Sequence, residues 1–297
     1  MISIIGAGRV GSALGFLIAA TSLDDLVLVN RSKNKAIGEA LDITNTVSQG
    51  ALTFVTGTDD FESIKDSKVI VITASKGEIK ADRTDLLAHN ITLIKEISAN
   101  LKQYADGAKI VIVTNPVDVV TYYALKETGF ERESVIGMGS SLDSARFRYL
   151  LAKMIGENQS LVKGMVLGEH GASMVPIFST AKFDDRPIRL DGRQIAEITT
   201  EVRNYWKYLR EFKGASVFGA AKNTFDIIKA IINDEKLHVP ASILLNGEYG
   251  LKDVCLGVPL IIGKSGVDKI EEIKLEKSEL ESINKSAKTI TSNIINI

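Results

Sequence analysis

The chain has one cysteine, three histidines and no surplus of charge, and each scarcity removes a class of function. A lone thiol, Cys255, excludes an intramolecular disulfide. Its setting in "DVCLGVPLII" reads as a buried strand rather than an exposed, charge-activated nucleophile, so a reducing cytoplasm is the compartment expected. Lysine and arginine number 36 against 37 aspartate and glutamate. No basic field therefore draws the chain to nucleic acid or an acidic membrane, which leaves small-molecule chemistry. A GxxxxGK(S/T) phosphate loop does not occur, and no Cys/His/Asp cluster has ligand spacing, so no metal is expected. The uncharged run from Val10 to Leu23 lacks a basic leader and is too short to span a bilayer. It reads as a buried helix of a soluble protein. Internal repeats, low-complexity tracts and a Pro/Ser linker are also missing.

With 297 residues, the chain can bury a large core, and two linked lobes are the starting expectation. The first half alternates apolar runs ("ISII", "LVLV", "LTFV", "KVIVIT", "KIVIVT") with amphipathic stretches such as "DRTDLLAHNITLIKEISANLKQYA". Short β-rich runs between helices imply right-handed crossovers and a parallel sheet covered on both faces. This predicts an α/β, doubly wound domain over residues 1–140. After that the rhythm changes to long helices ("LDSARFRYLLAKMIG", "RQIAEITTEVRNYWKYLREF", "VFGAAKNTFDIIKAII"). Strand-like "VPASILL" and "GVPLIIG" follow, with a charged closing helix from Lys277. Residues 141–297 thus read as an α+β lobe.

"IIGAGRVGSALG" sets Gly6, Gly8 and Gly11 directly after a strand and at the start of a helix. Gly6 permits the tight turn, Gly8 lets a pyrophosphate approach the backbone, and Gly11 lets helix and strand pack closely. The helix N-terminus then offers its amides to the phosphates. The next strand, in "LVLVNRSK", ends on Asn30 where an acidic residue would ordinarily hold the adenosine ribose. Asn30 removes a charge that would repel a 2′-phosphate. Arg31 can pair with that phosphate and Ser32 can donate to it, so NADP is the expected cofactor, with NAD accepted second.

Of the histidines, His89 on an amphipathic helix and His238 at a strand start suit structural roles. His170 sits in "GEHGASMVP", between glycines that bring backbone close to a ligand, and an imidazole there is a suitable acid or base. "SSLDSARFR" supplies Asp143 and Arg146, three apart on one helical face. That spacing suits a carboxylate that orients a histidine and a guanidinium that grips a substrate carboxylate, although the same pair also occurs as a simple ion pair.

Together these residues resemble the lactate/malate dehydrogenases, which combine a Rossmann domain with a substrate domain. The resemblance covers nearly the whole chain, from "GAGRVGSALG" through "RTDLLAHN", "VTNPVD", "VIGM", "LDSARFR" and "GEHGASMVP" to "DVCLGVPLIIG". It implies that His170 is the proton acceptor, Asp143 its orienting carboxylate, Arg146 the clamp on the C1 carboxylate, and Arg83 the loop arginine that polarises the carbonyl. Asn115 is similar to the family's asparagine between nicotinamide and substrate. Asn90, with Arg9, Val10 and Val113, is expected to add cofactor contacts. The resemblance further implies a 2-hydroxy acid or 2-keto acid substrate and a homodimer or homotetramer.

Two departures stand out. The loop "TASKGEIKADRTDLL" has neither the arginine of malate enzymes nor the glutamine of lactate enzymes. Lys76 or Lys80 could supply the positive charge for a second carboxylate, Lys80 being favoured, while Glu78 would oppose it. Ala172 stands where the family usually has aspartate. "VIGMGSSLD" tilts the expectation to malate and oxaloacetate over lactate or another 2-hydroxy acid. A nicotinamide-dependent glycosidase would need a metal cluster that the sequence lacks. A non-catalytic nucleotide sensor would be expected to lose the base, which is present.

Overall fold

A computed structural model describes residues 1–75 and 83–295, with the backbone alone for residues 83–86. The first half runs β1 (Ile2–Ile5), α1 (Arg9–Ala20), β2 (Leu26–Val29), α2 (Lys33–Thr44), β3 (Val55–Thr58), β4 (Val69–Ile72), α3 (Arg83–Tyr104), β5 (Lys109–Ile112), α4 (Val117–Thr128) and β6 (Val135–Gly137). All six strands pair in parallel in the order β3-β2-β1-β4-β5-β6. This is the doubly wound arrangement that the alternating pattern predicts.

Every residue of β1, β2 and β4 is buried, as a sheet covered on both faces requires. Side chains alternate between two cores. Ile4, Leu28 and Val71 join Leu14 and Ile18 of α1, while Ile5, Val29 and Ile72 face Ile94 and Ile97 of α3. The third strand differs from expectation. It starts at Val55, three residues later than "LTFV" begins, leaving Leu52 88% and Phe54 69% exposed. Its place is set by a close approach: a Cβ on Gly57 would overlap the Ala36 carbonyl of α2. Hydrophobicity alone does not encode that contact.

The second half runs α5 (Gly139–Ile155), β7 (Val162–Leu167), β8 (Val175–Phe183), β9 (Arg186–Pro187), α6 (Gly192–Lys213), α7 (Phe218–Asn233), β10 (Leu237–Asn246), β11 (Lys252–Gly263), β12 (Gly266–Ile270) and α8 (Lys277–Ile295). Strands β7, β8 and β9 form a separate antiparallel sheet. Strands β10, β11 and β12 are antiparallel too, but they extend the parallel sheet to nine strands, joining β6 where Ser242 lies opposite Gly137. Local signals set the helix limits. Asp191 and Gln194 cap α6 reciprocally, and Gly156, at φ 72°, ends α5 in the left-handed region. Among the described residues no helix is long and apolar enough to cross a membrane. The run from Val10 folds as most of α1, its buried face formed by Gly11, Leu14, Gly15, Ile18 and Ala19.

Gly11 shows how the turn at the sheet's centre is built. A Cβ there would overlap the Gly6 carbonyl oxygen, and Gly6 has φ +115°. Gly11→Ala should therefore overpack the junction of β1 and α1, at a cost of about 1–3 kcal/mol. A calorimetric melt should show a midpoint several degrees lower; an unchanged midpoint would mean that the turn can yield.

Candidate active site

The strand order reverses between β1 and β4, and a cleft opens beyond the C-terminal ends of these strands, where such folds hold ligands. It has a volume of about 650 Å³, and its walls include Gly6, Gly8, Asn30, Arg31, Lys35 and Asp59. A Cβ on Gly8 would meet nothing within 4 Å, so the backbone there is open to a ligand. Ser12 N–H bonds back to the Gly8 carbonyl at 2.8 Å. The amides of Arg9, Val10 and Gly11 ahead of it belong to the first turn, which has no intrahelical acceptor for them.

Asn30 closes β2 and ties the turn to the next helix. Its Oδ1 accepts from Ala7 N–H at 3.3 Å, and its Nδ2 donates to the Ser32 carbonyl at 3.2 Å. Ser32 is the N-cap of α2, yet its side chain makes no capping hydrogen bond. Arg31 is exposed at the cleft, and Lys33 Nζ lies 3.5 Å from Asp59 Oδ1.

His170 lies between β7 and β8, on the loop that follows the positive-φ Gly168. It sits over the first turn of α5 because Gly139 has no side chain; a Cβ there would come within 2.5 Å of the His170 Cβ. One turn further on, Asp143 is fully buried, with Oδ2 2.5 Å from His170 Nδ1 and Oδ1 3.2 Å from Arg146 Nη1. Arg146 is buried too, its guanidinium 5.3 Å from the centre of the Tyr205 ring on α6. The carboxylate thus stands between imidazole and guanidinium. Burial pulls the His170 pKa down, but the charge and hydrogen bond of Asp143 more than offset it, and the net shift is upward from the ordinary imidazole value. With Nδ1 donating to Asp143, Nε2 is left to take or give a proton.

Behind the histidine is a second acid. Asp118, in the first turn of α4, is 2% exposed, and its Oδ2 accepts the His170 main-chain N–H at 2.8 Å. Beside Arg146, a cavity of about 310 Å³ is bounded by Leu142, Arg146, Tyr205, Ser216 and Val217. A further cavity of about 720 Å³ lies among Pro116, Glu169, Ala172, Arg203 and Lys285. The Glu169 carboxylate turns to Ser173, accepting its N–H at 3.1 Å and its hydroxyl at 2.5 Å.

The remaining expected residues are placed as follows. Asn115 is exposed just past β5, and Val113 is half-buried at the same strand end. Asn90, expected to touch the cofactor, is 1% exposed; it donates to the Asn115 carbonyl at 2.7 Å and accepts from Ser75 Oγ at 3.2 Å. It braces the strand-end loops from behind. Lys76, Glu78 and Lys80 lie outside the described residues, as does the side chain of Arg83, whose backbone begins α3. His89 is exposed, and His238 pairs with Glu271 at 3.0 Å. Cys255 is buried, and burial pushes its thiol well above the usual range. No cluster able to hold a metal occurs among the described residues.

Lys35, Asp59, Tyr205 and Asp118 are not among the site residues expected from the sequence. Lys35 had a signal in the basic run after Asn30, and Asp118 stands within "VTNPVD". For Tyr205, which comes from a helix remote in sequence, we see no local signal.

Known proteins align with this arrangement over its full length. The family described as lactate/malate dehydrogenase, NAD binding domain, matches residues 1–137, and lactate/malate dehydrogenase, alpha/beta C-terminal domain, matches residues 140–297. The malate dehydrogenase of Staphylococcus carnosus is 39% identical over 288 residues, covering 94% of this chain and 92% of that protein. The structure of the malate dehydrogenase from Aeropyrum pernix superposes with a TM-score of 0.94 at 33% identity, covering 100% of this chain and 98% of the other. A lactate dehydrogenase from Cryptosporidium parvum, complexed with lactic acid and nicotinamide adenine dinucleotide, gives 0.95 at 33% identity, covering 99% and 96%.

Proposed function

Since this chain belongs to the lactate/malate dehydrogenase family, whose members are NAD(P)-dependent 2-hydroxy acid dehydrogenases, we propose that it interconverts malate and oxaloacetate, with NADP(H) preferred over NAD(H). The observation that carries the chemistry is the pairing of His170, partly open to solvent, with the buried Asp143. The bound nicotinamide supplies hydride transfer. In oxidation, His170 Nε2 takes the hydroxyl proton and Asp143 stabilises the imidazolium as it forms. In reduction, the same imidazolium returns the proton to the carbonyl oxygen. Arg146 holds the substrate's C1 carboxylate from the buried side, and Arg83 and Asn115 act at the reacting carbonyl. Lys80 is the group proposed for the second carboxylate.

The cofactor preference rests on charge. A carboxylate at the end of β2 would face a 2′-phosphate, and like unit charges about 4 Å apart repel by roughly 4 kcal/mol at an effective dielectric near 20. Asn30 is neutral and its amide is engaged on both sides, while Arg31 and Lys35 line the same cleft. Asp59 lines it as well, but Lys33 lies against its carboxylate. Gly6, Gly8 and Gly11, with the first amides of α1 at Arg9 and Val10, are the residues proposed for the pyrophosphate.

The second reading, a lactate or other 2-hydroxy acid dehydrogenase, draws support from the equal structural likeness to the Cryptosporidium lactate enzyme. One matrix of NADPH and NADH against oxaloacetate, pyruvate and a bulkier 2-keto acid decides both questions. The expected result is the highest kcat/KM with NADPH and oxaloacetate. Arg31→Ala should lower kcat/KM for NADPH by about tenfold, the scale of one charge-assisted hydrogen bond. Equal or better turnover with NADH would overturn the cofactor reading. For assembly, exposed aromatic groups such as Tyr149 on α5, Tyr208 and Phe212 on α6 and Phe218 on α7 support a homodimer or homotetramer.

A further inference from the structure

His170 is approached by acids from two helices. Asp143 of α5 meets its ring, and Asp118 of α4 meets its main chain. Asp118 is an unusual group to bury. Its Oδ1 and the Ser242 Oγ of β10 are both fully enclosed; the hydroxyl is near enough to favour the carboxylate, but the two are not in good hydrogen-bond geometry. Burying a carboxylate that is only half satisfied costs a fold free energy. A carboxylate in this place therefore calls for a role beyond packing.

We propose that Asp118 is a positioning residue for the reaction: it fixes the His170 main chain through Oδ2 and sets a second negative charge behind the imidazole. The inference rests on the reading of His170 as the acid–base group. Among the described residues, the charged and titratable groups around the histidine are Asp118 of α4, Asp143 and Arg146 of α5, and the neighbouring Glu169, which is bonded to Ser173; Arg83, whose side chain lies outside them, is a further cation proposed for the same site. Cys255 of β11 faces Asp118, and its thiol is held neutral by burial. Asp118 and Asp143 favour the imidazolium, and Arg146 opposes it. Burial raises the Asp118 carboxyl to about 6, against the pull of the Ser242 hydroxyl and the His170 amide. The carboxyl thus loses its proton just below neutrality. Above that point Asp118 is an anion and stabilises His170 in the form that reduction needs. Below it, the added charge is gone.

The test uses the full chain without substrate or cofactor, so it stands apart from the assignment of activity. With three histidines, the imidazole Cε1 protons are separable by NMR, and the signal lost in His170→Asn identifies the one of interest. In Asp118→Asn an amide oxygen can still accept the His170 N–H, but the charge is removed. The His170 titration midpoint should then fall by about one pH unit, the lower end of shifts from a nearby charge. Ser242→Ala removes a group that favours the Asp118 anion, and should move the midpoint the same way by less. The variant decides the question if Asp118→Asn proves unable to fold. A midpoint that does not move in the folded variants would overturn the proposal, leaving Asp118 a packing element. Where substrate turnover is measurable, the acid limb of kcat/KM for alcohol oxidation should follow the NMR midpoint.

Discussion

His170→Asn is expected to lower kcat in both directions by a factor of roughly 10² to 10⁴, the contribution of a well-placed acid–base group. Cofactor binding, followed by quenching of the single tryptophan or by calorimetry, should stay within about twofold, because the histidine lies outside the cleft around Gly6 and Gly8. Retention of more than about a tenth of wild-type kcat would mean that another group moves the proton. The pH dependence of the wild type has a definite sign. The His170 pKa is raised above the ordinary imidazole value because Asp143 outweighs the effect of burial. Alcohol oxidation needs the neutral ring and should rise through a midpoint above that of a free imidazole. Ketone reduction needs the imidazolium and should fade across the same window.

Arg146→Gln should produce the second large effect, a fall in kcat/KM for the 2-keto acid of about 10² to 10⁴. This corresponds to roughly 3–5 kcal/mol for removing one partner of a buried charge pair. Most of the loss should appear in KM, since the guanidinium grips a carboxylate that is charged throughout the reaction. Arg146→Lys separates charge from shape: it keeps the cation but loses the planar fork, and should recover only part of the loss. A further readout is internal to the site. Arg146 opposes protonation of His170, so its removal should shift the pH profile upward. If KM for the keto acid stays within about threefold, the arginine is only the structural partner of Asp143.

Much of this molecule is readable from short stretches of sequence because the governing contacts are local. The runs of β1, β2, β4 and β5 are fully or almost fully apolar because both faces of the sheet are covered. The i, i+3 spacing of Asp143 and Arg146 survives as a direct hydrogen bond. The failures come from contacts between distant segments. The third strand follows the Gly57–Ala36 approach rather than the apolar "LTFV", and the hydrogen bond that sets Asn90 beneath the Asn115 carbonyl joins residues 25 apart. The place of Asp118 is hidden in the sequence for the same reason, since its partner is 52 residues away.

The nine-stranded sheet also constrains how the chain comes apart. Strand β6, three residues long, pairs with β5 on one side and meets β10 on the other, and Ala220 and Phe225 of α7 share the core that holds Leu14 and Ile18 of α1. A cut near residue 140 would bare an apolar strand edge on each fragment, the kind of surface that seeds aggregation. The two halves therefore depend on each other for solubility, and loss of structure in one would carry the other with it as a single cooperative event.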